Sequence, residues 1–287
     1  MTDLEQLMYR VLGKISATNA PIVFKGALIT KLVLEENGFT HYNRPTVDID
    51  ANWVGAPPTM DDLVTTIQRS LGDLREQFYA VAIRDYEEKK SAGISIRTKS
   101  MDKEIMSMDI SIKPVVGSKV YQYGEIGIKG VLPTEILADK ITVLSKHLVF
   151  RRAKDLIDVY ALAHCVEVQT SEVFNVLESK SAIVGEFAEL FTRCNDVEHA
   201  YDKLKGVDGK PPFEDVYPYL TAFVRPFAQR NTTPCIWNSS QQTWDDLSRM
   251  VDKRPSIHAQ LRATEQEARE HLAYTPKKTI HEDELEL

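Results

Sequence analysis

Two aspartates stand two residues apart in the run Arg44-Pro-Thr-Val-Asp48-Ile-Asp50, which alternates as a strand. Because alternate residues of a strand project to the same face, about 7 Å apart along the chain, both carboxylates can reach one cluster of divalent cations. Their hard oxygen atoms suit Mg²⁺, with Mn²⁺ as a substitute. The pair therefore indicates metal-assisted phosphoryl transfer, and the alternative is two strand-end carboxylates that face water.

A third carboxylate, Asp109, lies in the apolar run Ile105-Met-Ser-Met-Asp-Ile-Ser-Ile112. A charge in such a strand is costly to bury unless it is paired or bound to a metal. If one sheet carries this strand beside Asp48 and Asp50, the three carboxylates form an acidic cage with room for substrate phosphates. We therefore predict Asp109 as a third metal ligand.

The segment Phe24-Lys25-Gly26-Ala27-Leu28 predicts a strand that enters a helix through a glycine. Glycine lets an anion approach the backbone closely, and a helix N-terminus offers N–H groups with partial positive charge. The segment is a candidate phosphate-binding turn, and an ordinary strand–helix turn is the alternative.

Two helical segments of the second half carry charges among apolar residues. Lys140 falls inside an apolar arc, and a buried ammonium needs an anion, either a phosphate or a carboxylate. A lysine that extends along the edge of the arc is the alternative. His147 lies in the same arc, and we predict a structural histidine there.

The second segment carries a narrow charged stripe on an otherwise apolar helix, made of Arg151, Lys154, Asp155 and Asp158. We expect an almost buried helix with a short charged window onto a cleft. Internal i,i+4 ion pairs, Arg151 with Asp155 and Lys154 with Asp158, are the alternative that would account for the same residues.

The elements that position these residues change in character along the chain. Strands and helices are mixed up to about residue 130, and helices dominate after it, so the sequence predicts an α+β protein. We predict three parts: an α/β domain at 1–130, a helical domain at 131–274 that contributes Lys140 and the 151–158 helix, and a disordered acidic tail at 275–287. The run 121–128 is predicted to be one strand, and 134–148 one helix.

Composition limits the class of protein. The chain has 287 residues, 43% of them hydrophobic and 27% charged, as in a globular protein. No apolar run approaches the roughly 18 residues of a membrane span, and three scattered cysteines predict reduced thiols in a cytoplasm. The net charge of −7 argues against a general polyanion binder. Local nucleic-acid contact stays open, since basic residues cluster between 129 and 154.

Four segments, taken in order, resemble the nucleotidyltransferase toxins of the AbiEii/AbiGii type from bacterial abortive-infection and toxin–antitoxin systems. They are Lys25-Gly26-Ala27-Leu28, Arg44-Pro-Thr-Val-Asp48-Ile-Asp50, Ala138-Asp139-Lys140-Ile141 and Arg151-Arg-Ala-Lys154-Asp155-Leu-Ile-Asp158. The resemblance implies a nucleotidyltransferase fold, a mixed sheet with flanking helices, followed by a helical domain. It also implies that the enzyme transfers a nucleoside monophosphate from an NTP and requires Mg²⁺.

The resemblance also implies residue roles. Asp48 and Asp50 would hold the metal ions, Lys140 would contact the triphosphate, and Lys154 and Asp155 would complete the site. The candidate nucleotide-binding residues are Lys25, Gly26, Ala27, Arg44 and Thr46. The chain departs from the family at Ala27, where a second glycine or a serine is usual, so a hydroxyl contact to phosphate is lost while backbone N–H groups remain.

The acceptor implied by the resemblance is the 3′ end of tRNA, and a cognate antitoxin would oppose the resulting growth inhibition. A protein hydroxyl would fit the same chemistry. Two other classes stay open: a non-catalytic relative that binds nucleotide or a partner, and a metal-dependent nuclease, although a nuclease gives Lys140 no triphosphate to bind.

Overall fold

The computed structural model describes residues 3–40, 43–86, 91–146 and 148–252. Residues 1–245 belong to one compact unit, and a second unit begins at residue 246, of which the structure describes residues 246–252. His147, the part of the predicted helical domain after residue 252, and the predicted disordered tail 275–287 lie outside the described residues.

The first half of the chain builds a seven-stranded mixed sheet. Its strands are β1 (Ile22–Lys25), β2 (Asp48–Trp53), β3 (Phe78–Arg84), β4 (Ala92–Thr98), β5 (Glu104–Ser111), β6 (Ser118–Tyr123) and β7 (Ile126–Val131). Their order in the sheet is β3-β4-β5-β2-β1-β7-β6. The strand β2 runs antiparallel to β1 and parallel to β5, so these three strands lie side by side near the middle of the sheet.

The central strands have one apolar face and one polar face because their residue types alternate. Ile49 and Ala51 on β2 are fully buried on the apolar face, as is Met108 on β5. The polar face carries Asp48, Asp50 and Asn52 on β2 and Ser107, Asp109 and Ser111 on β5, which are registered neighbours in parallel strands. The functional side chains of the sheet therefore project from one face.

Helices flank the sheet and make up most of the chain after it. They are α1 (Asp3–Ala17), α2 (Gly26–Glu36), α3 (Met60–Ser70), α4 (Pro133–Leu144), α5 (Ala153–Cys165), α6 (Thr170–Ser179), α7 (Ala188–Thr192), α8 (Cys194–Asp202), α9 (Phe213–Ala228) and α10 (Leu247–Asp252). Short 3-10 helices lie at Gly72–Glu76 and Val149–Arg152. The helix α4 packs against both α5 and α6. None of the helices in the described ranges has the length and apolar character needed to span a bilayer.

The predicted fold class, an α+β protein with a mixed sheet and flanking helices before a mainly helical part, is confirmed. Two element predictions are wrong. The run 121–128 is a hairpin, because Gly124 turns the chain with φ +57° between β6 and β7. The helix predicted over 134–148 ends at Leu144, and Leu148 then adopts the left-handed region.

The helical half also contains a two-stranded sheet of β8 (Cys235–Asn238) and β9 (Thr243–Asp246). The predicted boundary at residue 130 coincides with the end of β7, but both sides of that boundary belong to the compact unit 1–245. The division into two domains therefore stays a prediction.

Candidate functional site

A cleft of about 1220 Å³ receives residues from the sheet and from the helices that follow it. Its lining contains every predicted site residue except Asp109, namely Lys25, Gly26, Ala27, Arg44, Thr46, Asp48, Asp50, Lys140, Lys154 and Asp155. Residues predicted from four separate segments thus lie around one cavity. The side of the cleft made by β1 and β2 is called the sheet wall below, and the side made by α4 and α5 is called the helix wall.

On the sheet wall, Asp48 and Asp50 project from the same face of β2. Ser107 Oγ donates a hydrogen bond to Asp48 Oδ1 at 3.0 Å. Burial raises the pKa of Asp50; Lys25 counteracts this shift, while Asp109 and Asp48 add to it. A carboxylate whose pKa is raised in this way is stabilised by any cation that comes close to it.

Gly26 lies where β1 enters α2 and has φ +72°, a conformation that favours glycine. A Cβ at this position would lie 2.2 Å from Asp50 Oδ2. The turn at Gly26 stays a candidate for phosphate binding, and the structure places the Asp50 carboxylate next to it. Glycine is therefore required here so that Asp50 can reach the start of α2.

The side chain of Lys25 is held by neutral oxygen atoms. Its Nζ donates to Asn52 Oδ1 at 2.6 Å and to Ser111 Oγ at 2.9 Å. Burial lowers the pKa of Lys25, although the charges of Asp139 and Asp50 oppose this shift. Because Lys25 is also the registered neighbour of Asp50 across the antiparallel pair, its ammonium is the cation on the sheet wall nearest in register to that carboxylate.

Asp109 differs from the expectation of an enclosed third carboxylate. It is the registered neighbour of Asp50 on β5, but its side chain is 48% exposed, does not line the cleft and pairs with Arg84. The expectation of enclosure is wrong because Arg84 and water solvate the charge at this position. Within the described residues, no three acidic, histidine or cysteine side chains gather into a group that could hold a metal ion. The role of Asp109 as a ligand stays a prediction.

On the helix wall, Lys140 is buried as its helical arc predicted, with 7% of the residue exposed. Its Nζ donates to Asp155 Oδ1 at 3.0 Å and to Asp158 Oδ2 at 2.5 Å. Burial alone would lower the pKa of Lys140, but the charges of Asp158 and Asp155 raise it above its usual value. The anion that the buried ammonium needs is thus supplied by the protein.

Asp158 pairs with cations from two different segments of the described chain. Arg44 donates from Nε to Asp158 Oδ1 at 2.9 Å and from Nη2 to Oδ2 at 2.7 Å, and Lys140 donates to Oδ2 as well. Burial would raise the pKa of this carboxyl, but Lys140 and Arg44 hold it well below its ordinary range. These partners replace the Lys154–Asp158 pair that helical spacing offered.

Asp155 is the second acid of the stripe, and it is 16% exposed. It accepts a hydrogen bond from Lys140 and forms an ion pair with Arg152, whose Nε lies 2.9 Å from Oδ2, and not with Arg151, the partner in the alternative interpretation. The i,i+4 ion pairs are therefore not the arrangement of these charges. Lys154 is exposed and lines the cleft together with Asp155.

Arg44 and Thr46 precede β2, and both line the cleft. The guanidinium of Arg44 is engaged by Asp158 in a bidentate pair, which fixes the segment in front of Asp48 to α5. The backbone of Asn43 pairs with that of Asp208 through hydrogen bonds of 3.1 and 2.8 Å. The geometry of Arg44 is that of a positioning residue.

Six further basic residues line the cleft without having been predicted as site residues: Lys113, Lys146, Arg151, Arg152, Lys180 and Lys203. Three of them belong to the basic stretch before residue 154, which the sequence did reveal. Lys180 and Lys203 lie at the ends of α6 and α8, and no sequence pattern pointed to them. Among the described residues the cleft has ten basic and four acidic side chains, although the whole chain carries a net charge of −7.

Several solved structures are similar to this chain. JHP933 from Helicobacter pylori has 15% identity and a TM-score of 0.48, over 79% of this chain and 90% of that one. The nucleotidyltransferase toxin MenT4 from Mycobacterium tuberculosis H37Rv has 18% identity and a TM-score of 0.37, over 69% and 62%. An antigenic nucleotidyltransferase-like protein from Paracoccidioides brasiliensis has 14% identity and a TM-score of 0.42, over 75% and 97%.

No curated protein matches the sequence. Residues 8–236 match the family described as nucleotidyl transferase AbiEii toxin, type IV TA system. This match spans well over half of the chain and includes all four segments that carried the resemblance. The protein therefore belongs to the AbiEii family and is a nucleotidyltransferase toxin of the type IV toxin–antitoxin class.

Proposed function

We propose that this nucleotidyltransferase is a Mg²⁺-dependent enzyme that transfers a nucleoside monophosphate from an NTP to the hydroxyl at the 3′ end of tRNA. The observation that supports this most directly is one cleft with a carboxylate pair on the sheet wall and a buried ammonium on the helix wall. Phosphoryl transfer depends mainly on such positioning and charge stabilisation, because the protein takes little part in covalent chemistry.

Asp48 and Asp50 fit the needs of Mg²⁺. This ion is usually held by one or two carboxylates, while water and substrate phosphates complete its octahedral shell. The raised pKa of Asp50, caused first by burial, supports a cation at this place. When bound there, Mg²⁺ would neutralise charge on the triphosphate, and Mn²⁺ would serve as a substitute.

Lys140 and the start of α2 would orient the nucleotide. An ammonium has three N–H donors, and two of those of Lys140 engage Asp155 and Asp158. The third would donate to a phosphate oxygen in the cleft. The backbone N–H groups at Gly26 and Ala27 lie at a helix N-terminus, where an anion is favoured.

The reaction is an in-line displacement at the α-phosphorus of the NTP. The acceptor oxygen forms the new P–O bond, the bond between the α-phosphorus and the bridging oxygen breaks, and pyrophosphate leaves. The hydroxyl proton passes to water. Lys140 stabilises the charge that develops on the phosphate oxygens, and the ion pairs around it keep it in place during the reaction.

An RNA end is the acceptor that the surface of the cleft favours. The exposed cations Lys146, Arg151, Lys154 and Lys203 line it, and so does Phe150, whose ring lies 5.0 Å from the guanidinium of Arg193. Cations beside an aromatic ring are how unpaired RNA is commonly bound, through phosphates and base stacking. A protein acceptor would not need this charge.

Loss of usable tRNA would stop growth, and we propose that the cell uses this response in phage defence. Membership of a type IV family implies a cognate antitoxin that opposes the toxin. We propose a cytoplasmic location, where tRNA is found. The cysteines Cys165, Cys194 and Cys235 lie within the described residues and form no disulfide, as expected of a reducing compartment.

Transfer can be tested by incubating the full-length protein with each α-labelled NTP, Mg²⁺ and either purified tRNA, total RNA or no RNA. We expect label in tRNA only, and its loss on chelation of the metal. Label in protein would instead indicate a protein acceptor, shortened RNA a nuclease, and no reaction with any NTP a non-catalytic relative. The Asp50→Asn variant, purified in the same way, controls for a contaminating transferase.

A further inference from the structure

A second buried lysine of the cleft, Lys180, lies between two carboxylates, as Lys140 does. Lys180 directly follows the last residue of α6, and its side chain is 6% exposed. Its Nζ lies 2.9 Å from Glu135 Oε1 and 2.7 Å from Asp139 Oδ1. Each of the two ammonium groups therefore has two carboxylate partners, and each lines the cleft.

The two partners have the same division of roles at both lysines. One partner is deeply buried: Asp158 at Lys140 and Glu135 at Lys180 are each 1% exposed. The other partner lies on the cleft, where Asp155 is 16% and Asp139 is 43% exposed. Both lysines thus have one buried acid, which positions the ammonium, and one more accessible acid, which lines the cleft.

Each buried acid is also fixed by donors from another segment. Asp158 is held by Arg44, and Glu135 Oε2 accepts from the backbone N–H groups of Val116 at 3.0 Å and Gly117 at 3.3 Å. These residues lie in the connection between β5 and β6, which follows Lys113 and Pro114 of the cleft lining. The position of the Lys180 ammonium is therefore set by three separate segments of the chain.

The charge of Lys180 acts on Lys25 of the sheet wall. Burial is the main cause that lowers the pKa of Lys25, Asp139 and Asp50 oppose it, and the nearby charge of Lys180 lowers it further. Lys180 and Lys25 line the same cleft, and Lys25 is the registered neighbour of Asp50. The Lys180 ammonium belongs to the same electrostatic environment as the carboxylate pair.

We propose that Lys180 is a second substrate-contacting ammonium, which binds the β- and γ-phosphates of the NTP and the pyrophosphate that leaves. This inference rests on the proposed NTP-dependent transfer. Lys180 Nζ donates one hydrogen bond, to Asp139 Oδ1, and forms an ion pair with Glu135, so N–H donors of Lys180 are available to a ligand in the cleft. Lysine binds phosphate as a compact point charge, so two fixed ammonium groups suit the spread charge of a polyphosphate.

The test measures equilibrium binding of pyrophosphate with Mg²⁺, together with the KM for NTP and the melting temperature, in full-length variants. Lys180→Met should raise the pyrophosphate Kd and the KM for NTP at least tenfold. The matched control is Lys31→Met, since Lys31 forms a similarly buried pair with Glu5 and does not line the cleft. The control should lower the melting temperature and leave Kd and KM unchanged. A pyrophosphate Kd of Lys180→Met within twofold of the wild-type value would overturn the proposal.

A second variant keeps the test decisive if Lys180→Met does not fold. Asp139→Asn removes the more exposed partner and leaves the Glu135 pair in place, so Lys180 should bind pyrophosphate at least threefold more tightly. An unchanged or weaker affinity in Asp139→Asn would contradict the assignment.

Failure of this inference can be told apart from failure of the proposed function. If the wild type transfers nucleotide and Lys140→Met loses pyrophosphate affinity, but Lys180→Met keeps it, only the assignment of Lys180 is wrong. If the wild type transfers no nucleotide and Lys140→Met binds pyrophosphate normally, the proposed function itself fails.

Discussion

The two walls of the cleft differ in how their buried ionisable groups are stabilised. On the sheet wall, Asp50 has a raised pKa caused mainly by burial, and Lys25 is held by the neutral oxygen atoms of Asn52 and Ser111. On the helix wall, Lys140 has a raised pKa and Asp158 a lowered one, because each ion stabilises the other despite burial. The buried charges of the helix wall are therefore paired within the protein, whereas a cation bound at the sheet wall would stabilise the Asp50 carboxylate.

The largest effect of a single substitution is expected on the sheet wall. Asp50→Asn should reduce nucleotide transfer by about three orders of magnitude, since it removes a proposed metal ligand, whose charge would act on the transition state. The melting temperature of the metal-free variant should be equal to or above that of the wild type, because burial and the neighbouring carboxylates disfavour this charge. Asp48→Asn should show the same loss of transfer. Turnover near the wild-type level in either variant would exclude the carboxylate pair as the metal site.

Two neighbouring acids of the helix wall should separate stability from activity. Asp158→Asn should lower the free energy of unfolding by about 3 kcal/mol, because it leaves buried cations without their carboxylate, and the folded fraction should retain some transfer. Asp155→Asn should stay folded and lose about two orders of magnitude in rate, since Asp155 lies on the cleft and orients Lys140. Melting temperatures and NTP turnover, measured side by side, decide the matter. A fully active Asp155→Asn would remove α5 from the active site.

The pH dependence of stability tests the same wall. The pKa of Asp158 is lowered in the folded state, so its contribution is present above its unfolded pKa of about 3.9 and is lost as the pH falls below that. The pKa of Lys140 is raised, so its contribution is present below about pH 10.4 and is lost as the pH rises through its folded value. The difference in melting temperature between wild type and Asp158→Asn should therefore be constant from about pH 5 to 9 and shrink below about pH 4. A difference that changes steadily between pH 5 and 9 would point to another titrating group.

The smallest effect is expected where the helix wall meets water. Arg152 is 46% exposed and pairs with Asp155. Exposed pairs of this kind contribute only a few tenths of a kcal/mol, so Arg152→Gln should leave the melting temperature within about 1 °C of the wild type. A large loss of stability would mean that the exposed and buried pairs of this wall act as one network.

The parts of the site that follow local geometry could be predicted from the sequence. Alternation along β2 depends only on neighbouring residues, and it predicted that Asp48 and Asp50 project from one face. Helical periodicity predicted in the same way that Lys140 is buried. The partners of these charges could not be predicted in the same way. Arg44 meets Asp158 across a separation of 114 residues, and no local pattern encodes that contact.

Asp109 and Lys180 illustrate the same limit. The apolar neighbours of Asp109 correctly placed it on an interior strand, but its exposure depends on the position of that strand in the sheet and on Arg84 from β3. Lys180 lies at the end of an ordinary amphipathic helix, and only the packing of α6 on α4 brings it to Glu135 and Asp139. The surroundings of such residues can be assigned only when the tertiary fold is known.

The contacts of the segment before β2 have a consequence for the synthesis of a toxin. Arg44 pairs with Asp158, and the backbone of Asn43 pairs with that of Asp208. The segment before β2 therefore takes its position through residues that are synthesised much later than β2 itself. A nascent chain of about 150 residues contains every strand of the seven-stranded sheet but has neither anchor and no partners for Lys140. We therefore expect a chain that stops before residue 155 to lack the contacts that position the proposed catalytic residues, and to be inactive.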